Sequence, residues 1–175
     1  AMPEAFVFGE RAGKFAAEFS CGRKRPVINA GANEQVTNLQ SLLEKQENGQ
    51  DDKSALGRTW ARLQELMWKN VGVLLTGEKL ATALAQITYM RLSLEETSPS
   101  GNREFNLNLQ DWFDLRSALL VAESVTFSAI NRRESRGAHQ REDYAKMDPE
   151  LNVNQRLRLN SDGRLLSNFA EQVVQ

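Results

Sequence analysis

The sequence contains a single cysteine, Cys21, and a single histidine, His139, in 175 residues. An internal disulfide is therefore excluded, as is any metal site built from several cysteines or from two imidazoles. None of the 11 glycines stands two positions from another, so neither a dinucleotide fingerprint nor a glycine-rich phosphate loop is present. We therefore predict no metal site of these kinds and no glycine-lined nucleotide site in this chain.

Neither sign of charge predominates. Lysine and arginine number 22 and the acidic residues 23, which leaves a net charge of −1. Nucleic-acid-binding domains usually carry a strong positive field, so we predict no nucleic-acid partner. Extended apolar segments are also missing, since the uncharged residues 80–90 fall far short of the ~20 that cross a bilayer. We expect a cytoplasmic protein without direct membrane insertion.

Helical periodicity dominates the first three quarters of the chain. Apolar residues recur at three- and four-residue spacing in five segments, led by Phe8, Val36, Leu56, Leu80 and Leu109. The first helix is expected over residues 3–19, and the fifth should run to about residue 133. Thr76 has the side chain and position of an N-cap for the fourth helix.

The periodicity changes near the C-terminus. Residues 155–159 alternate polar and apolar, Asp162-Gly163 marks a turn, and residues 164–169 are expected to form the returning strand. The sequence therefore predicts a mainly α fold: a helical bundle followed by a short C-terminal hairpin or extended segment.

Two groups of residues point to packing rather than chemistry. Gly9 and Gly13 form a row of small residues on the first helix, which lets another backbone approach at about 1 kcal/mol of helix propensity per glycine. We expect that helix to pack tightly against a partner. Tryptophan and methionine at helical spacing are more often core than ligand-stacking residues, and we assign this group to the core: Trp60, Met67, Trp68 and Trp112.

The densest polar cluster covers residues 132–144, and Gly137 within it is well placed to end the long fifth helix. Two interpretations of its arginines stay open. They can bind a dicarboxylate through paired hydrogen bonds, or they can tie two domains together through ion pairs and backbone carbonyls, which we favour. Catalysis by a Cys21–His139 pair has little support, because Cys21 is distant in sequence.

Residues 134–144, Glu-Ser-Arg-Gly-Ala-His-Gln-Arg-Glu-Asp-Tyr, closely resemble the ESRGAHxRxDY motif of the succinate dehydrogenase and fumarate reductase flavoprotein family, which includes L-aspartate oxidase. Three other segments resemble that family in the same order. They are residues 3–13, the LMWxxVGV-like residues 66–73, and residues 117–123 with Ser128-Ala129 beyond. The chain thus resembles the C-terminal region of the family.

The resemblance implies a domain organisation. In this family FAD and the catalytic residues lie in domains that precede this region. Residues 1–22 would be a remnant helix of the upstream FAD-binding domain, and residues 23–33 a linker. Residues 34–144 would form the three-helix-bundle-like domain, and residues 145–175 a C-terminal extended or hairpin segment. After Tyr144 the chain departs from the Pro and paired Asp common in the family, which leaves the subfamily open.

The resemblance also implies roles for particular residues. Gly9 and Gly13 would pack against the flavin domain, and four residues of the motif would form an interdomain anchor: Arg136, His139, Arg141 and Asp143. The implied partners are the upstream flavin-binding domain and, as a further candidate, an iron–sulfur subunit. Such partner subunits would be the route by which a cytoplasmic protein of this family becomes membrane-associated. FAD would belong to the parent enzyme and not to this chain, in which we expect no catalytic, cofactor-binding or metal-ligating residue.

Three hypotheses follow. In the first, the chain is the C-terminal helical domain of an FAD-dependent oxidoreductase for dicarboxylate oxidation or fumarate reduction, with a structural and interdomain role and no activity alone. The alternative is a free-standing helical module that binds a protein partner and has no enzymatic activity. A small hydrolase centred on His139 has the least support.

Overall fold

The fold was analysed in a computed structural model, which describes residues 2–24, 30–45, 53–99 and 105–170. The chain divides into two compact units, Ala1–Gln40 and Ser41–Gln175. The first contains one long helix and most of a second. The second contains a bundle of three helices and the short strands that follow it.

The predicted order of elements is confirmed. Within the described residues, amphipathic periodicity places five helices and two hairpin strands where they were expected, and two further short strands and a 3₁₀ turn accompany them. The elements are α1 Met2–Ser20, α2 Ala30–Lys45, α3 Lys53–Asn70, β1 Leu74–Leu75, α4 Gly77–Glu95, α5 Leu107–Asn131, β2 Gln140–Arg141, the 3₁₀ turn Pro149–Leu151, β3 Asn154–Leu159 and β4 Leu165–Ala170.

The core of the second unit lies between α3, α4 and α5. Its side chains come from the inward rows of those helices, and the buried members are Leu63, Leu66, Ala83, Ile87, Met90, Leu94, Trp112, Leu115, Leu119 and Ala122. Burying a leucine or isoleucine side chain contributes about 1.5–3 kcal/mol, so this cluster makes a large hydrophobic contribution to holding the three helices together. The prediction of a mainly α, three-helix-bundle-like domain is confirmed.

A capped helix start brings α4 into this bundle at a defined position. Thr76 precedes α4 in an extended conformation, and its Oγ1 accepts a hydrogen bond of 3.3 Å from the Lys79 amide. This bond satisfies one of the amides that the first helical turn leaves unpaired. The N-cap predicted at Thr76 is confirmed.

Two expectations about individual residues are wrong. Trp68 is 86% exposed, whereas Trp112 is buried and Trp60 and Met67 pack partly buried against the core. The reason is angular: position 68 lies two residues, or about 200°, beyond the buried Leu66 and therefore points away from the bundle.

Gly137 does not end α5, contrary to expectation. The helix stops at Asn131, and Arg132 follows in an extended conformation with φ −85° and ψ 96°. Gly137 lies six residues later in a tight turn, where its φ of +56° suits a residue without a Cβ.

The first unit exposes a long apolar face. In α1 the side chains of Phe8, Phe15 and Phe19 are all more than 60% exposed, and a Cβ added at Gly9 or Gly13 would meet no atom within 4 Å. Of the helices that the structure describes, none is long and apolar enough to cross a membrane.

Candidate functional site

The candidate site is the arginine motif, residues 134–144. It follows α5 along the chain and, in space, lies against the start of α4. Strand β2 within it pairs in parallel with β1, so that Leu74 faces Gln140 and Leu75 faces Arg141. The Glu142 amide adds a 2.8 Å hydrogen bond to the Leu75 carbonyl. The motif is thereby held beside the residues that lead into α4.

A tight turn reverses the chain inside the motif. The amide of Arg136 donates to the carbonyl of His139 at 2.8 Å, and the amide of His139 donates back at 3.0 Å. Gly137 and Ala138 form the two-residue loop, in which a positive φ at the first position suits glycine. The Gly-Ala pair of the motif therefore has a backbone role, and it directs Arg136 and His139 to neighbouring positions.

Arg141 joins the ends of two helices. Its guanidinium is only 3% exposed, and Nη1 donates to the Ala129 carbonyl at 2.7 Å, in the last turn of α5. Its Nε and Nη2 each donate at 2.8 Å to the carboxylate of Asp143. Asp143 in turn accepts a 2.8 Å bond from the Gly77 amide in the first turn of α4.

The charges of this pair match the helix ends that they meet. The C-terminal carbonyls of α5 carry partial negative charge and face the Arg141 cation, while the N-terminal amides of α4 face the Asp143 anion. The hydrogen bonds from Arg141 hold the pKa of Asp143 well below its ordinary value against the opposing effect of burial, and the Gly77 amide lowers it further. Asp143 likewise raises the pKa of Arg141.

A second charge network surrounds Glu134, whose side chain is fully buried. Its Oε1 accepts bonds from Arg132 Nη1 at 2.6 Å and from Arg136 Nε at 3.0 Å. Its Oε2 accepts a 2.9 Å bond from the Asp148 amide. The hydrogen bond from Arg136, followed by those from Asp148 and Arg132, lowers the pKa of Glu134 to about 2 although burial acts to raise it.

The two arginines extend this network to the segment before β3. Arg132 donates at 2.8 Å to the carbonyls of both Leu151 and Val153, and Arg136 Nη2 donates at 3.1 Å to that of Asp148. Irregular backbone whose carbonyls lack secondary-structure partners is thus satisfied by guanidinium groups. The chain beyond the motif is therefore fastened to the end of α5.

Ser135 and His139 complete the site with neutral hydrogen bonds. The Ser135 hydroxyl accepts from the Arg141 amide at 2.8 Å and lies 2.9 Å from the Tyr144 carbonyl. His139 Nε2 lies 3.0 Å from the Arg132 carbonyl, and because a carbonyl can only accept, the ring is protonated at Nε2 in this contact. Both side chains therefore form hydrogen bonds with the backbone around them.

The structure brings together the four motif residues predicted as an anchor. Arg141 and Asp143 bind elements of their own unit, and the side chains of Asp143 and Arg136 are 35% and 33% exposed, whereas that of Arg141 is buried. Gly9 and Gly13 lie on α1, in the other unit. Glu134, on which two arginines converge, was not among the predicted site residues, although it is the first letter of the motif.

The chemical capacity of the site depends on how its charged side chains are paired. Within the motif the side chains of Glu134, Arg136, Arg141, Glu142 and Asp143 each bind an oppositely charged group. Across the described ranges, no group of three or more His, Cys, Asp or Glu side chains has the arrangement of a metal site. The arrangement is suited to fixing helix ends and loops.

A family model described as fumarate reductase flavoprotein C-term matches residues 60–167, which include α4, α5 and the whole arginine motif. The chain belongs to this family. The resemblance predicted from residues 134–144 is therefore confirmed.

Curated relatives agree with this assignment. One component of the fumarate reductase (CoM/CoB) of Methanothermobacter marburgensis is 29% identical over 150 residues, which are 86% of this chain and 26% of that protein. An L-aspartate oxidase from Pseudomonas aeruginosa is 36% identical over 103 residues, or 57% of this chain and 18% of that protein.

A solved structure shows the same fold. The Sdh1 complex of Mycobacterium smegmatis in its apo form contains a chain that is 29% identical, with a TM-score of 0.77, and the match covers 96% of this chain and 29% of that one. The present chain spans about a quarter of the length of the curated relatives that it matches first.

The arginine motif lacks the features that bind the pyrophosphate of FAD, the cofactor that this flavoprotein family implies. The chain has no Gly-x-Gly sequence with which a backbone could cradle the pyrophosphate. The guanidiniums of Arg132 and Arg141, which could otherwise contact phosphate, are engaged by carboxylates and carbonyls within the unit. No chemical step is therefore assigned to this domain.

Proposed function

We propose that this chain is the C-terminal helical domain of an FAD-dependent oxidoreductase of the succinate dehydrogenase and fumarate reductase type. In that enzyme, FAD and the dicarboxylate would bind upstream, and this domain would brace the flavin domain. The observation that carries the proposal is the arginine motif, which lies within the matched family region and whose charges join α4, α5 and the segment before β3.

The exposed face of α1 supports a packing role against the upstream domain. Soluble monomers seldom expose a contiguous apolar patch of this kind. Phe8 and Phe15 are seven residues apart and Phe15 and Phe19 are four apart, so the three lie along one face. Gly9 and Gly13 leave space beside the helix backbone for a close neighbour. The flavin domain is the partner that the family resemblance implies for this face.

Arg136 is the anchor residue best suited to reach another domain. Its side chain is one-third exposed, and Nη1 is held by a single bond of 3.2 Å to the exposed Asn152 side chain. Exchanging that bond for a carbonyl or carboxylate of a neighbouring domain would leave the Glu134 contact in place. His139 is engaged with the Arg132 carbonyl, so Arg136 would be the outward-reaching member of this part of the anchor.

The test uses the longer enzyme that contains this region. Arg136→Ala is expected to reduce bound flavin per polypeptide and to lower the thermal midpoint, while turnover per bound flavin stays within about twofold of the unmodified enzyme. Arg133→Ala is the matched control, since Arg133 is the neighbouring exposed arginine and forms no ion pair among the described residues. A slowed chemical step at full flavin content would contradict the bracing role.

Assembly with further subunits is part of the same proposal. The Mycobacterium smegmatis match comes from a complex, and an iron–sulfur subunit is the second partner that the resemblance implies. Co-purification of the longer enzyme with and without its neighbouring subunits would test this. Isolation of this chain as a complete natural protein bound to an unrelated partner would instead favour the free-standing interaction module.

A further inference from the structure

The C-terminal hairpin presents an unpaired basic face. In the β3–β4 register Arg156 lies opposite Asn168 and Arg158 opposite Leu166, so both arginines share the face on which the side chains are exposed. Arg164, at the turn, is exposed as well. Within the described part of the chain none of the three forms an ion pair, although the protein as a whole has a net charge of −1.

The outer edge of β3 has unpaired backbone groups. The Asn160 amide donates to the Arg164 carbonyl at 3.0 Å, which makes this a hydrogen-bonded pair. Hydrogen-bonded and non-hydrogen-bonded pairs alternate along antiparallel strands, so Gln155, Leu157 and Leu159 direct their N–H and C=O groups away from β4. No backbone bond from the described residues outside the hairpin meets them.

A mainly apolar groove runs beside this edge. The groove is open to solvent and has a volume of about 500 Å³. It is lined by α5, by the turn of the arginine motif and by β3, including Val125, Ala129, Ala138, His139, Gln155 and Leu157. No residue of β4 lines it, so the groove lies on the β3 side of the hairpin. An added strand beside β3 would project alternate side chains into the groove and toward the arginine face.

We propose that β3 is the docking edge for an extended acidic segment of another polypeptide, with acidic residues at alternate positions and an apolar residue between them. Its backbone pairs with Gln155, Leu157 and Leu159, its acidic side chains lie beside Arg156 and Arg158, and its apolar side chain enters the groove. Arg156 and Arg158 are two residues apart, which is the spacing of same-face side chains along a strand.

A polypeptide fits this surface better than a nucleic acid does. A nucleic acid requires a broad positive field. Here the unpaired arginines, Arg156, Arg158 and Arg164, lie on one two-stranded hairpin in a chain of net charge −1. The unpaired strand edge and the apolar groove have no use in phosphate binding. In strand addition they supply main-chain hydrogen bonds and a side-chain pocket.

The test titrates the full 175-residue chain with a designed heptapeptide that has valine at positions 2, 4 and 6 and glutamate at positions 3 and 5. The expected result is binding about fivefold tighter than that of the same peptide with glutamine at positions 3 and 5. The double substitution Arg156→Gln with Arg158→Gln should abolish that difference, and Arg133→Gln should preserve it. Slower amide exchange at residues 155, 157 and 159 in the complex should locate the peptide on β3.

Other results would overturn the proposal. Equal binding of both peptides, or no binding at millimolar concentration, would show that the hairpin does not recognise acidic side chains. Loss of binding in the Arg133→Gln control would show non-specific charge attraction. If a single-stranded RNA 20-mer displaced the peptide and required the same two arginines, the face would be a phosphate site. Dimerisation of the chain through β3 in sedimentation experiments would make a second copy the occupant.

Discussion

Replacing Glu134 with glutamine perturbs the network at the end of α5 while keeping the size of the side chain. Glutamine still has one carbonyl oxygen for Arg132 and Arg136, but its amide group would face the Asp148 N–H, and two donors cannot bond each other. The variant also leaves two guanidiniums without their shared counter-charge. The change is therefore electrostatic, with no cavity to complicate its effect.

The magnitude follows from burial. Removing one partner of a buried charge pair typically costs 3–5 kcal/mol, or roughly 3 where water can reach the remaining charges. Arg132 and Arg136 retain 17% and 33% side-chain exposure, so we expect the lower value. For a domain of this size about 2–4 °C is lost per kcal/mol, which gives a fall of roughly 6–12 °C in the thermal midpoint.

The same variant predicts a particular pH dependence. The pKa of Glu134 is lowered from 4.5 to about 2 in the folded chain, so its stabilisation is present above pH 4.5 and is lost as the pH falls toward 2. Glutamine does not titrate. The stability difference between the unmodified chain and Glu134→Gln should therefore be largest near pH 7 and should narrow steadily from pH 5 downward.

Urea unfolding followed by circular dichroism at pH 7, 5, 4 and 3 measures this difference directly. Glu142→Gln is the control, because Glu142 is exposed and its contact with Lys79 is a long 3.6 Å, worth less than about 1 kcal/mol. A loss below 1 kcal/mol for Glu134→Gln at pH 7, or a loss that does not change with pH, would refute the assigned role of the buried carboxylate.

Four further changes test other parts of the structure by the same unfolding measurement. Asp143→Asn should cost about 2 kcal/mol, because it weakens charged hydrogen bonds to Arg141 and Gly77; an unchanged midpoint would contradict the bridge between the helix ends. Thr76→Ala should cost about 1 kcal/mol through the lost N-cap, and Thr76→Ser should restore most of it. Leu119→Ala should cost about 2–5 kcal/mol through the cavity left in a fully buried position, and a loss under 1 would place Leu119 outside the core. Trp68→Ser should change the stability by less than about 0.5 kcal/mol, and a larger loss would show that Trp68 is packed in solution.

Much of the fold was predictable because its signals are local. Leu80, Ile87 and Leu94 are seven residues apart, or about two helical turns, a spacing that depends only on a helix having one buried side, and all three are buried. The hairpin was predictable for a similar reason, since Asp162-Gly163 between two short alternating segments favours a tight turn. The family was predictable from the motif of residues 134–144, which lies within the residues that the family model matches.

The site was predictable only in part. The arginine motif identified Arg136, His139, Arg141 and Asp143 as a group, but the periodicity contains no information about which charges meet. The buried position of Glu134 depends on two arginines and the Asp148 amide arriving at the same place, from both sides along the chain. Such convergence is set by how the end of α5 and the segment before β3 fold together.

By itself the sequence determined the class of the fold, the order of its helices, the cap at Thr76, the hairpin and the family, because these follow from local spacing and residue type. Only the tertiary structure decided that Trp68 is exposed, that α5 stops at Asn131 and that Gly137 forms a turn. The Ala129 carbonyl in the last turn of α5 is taken by a guanidinium 12 residues further along the chain. Contacts between residues distant in sequence settle such choices, and no local pattern encodes them.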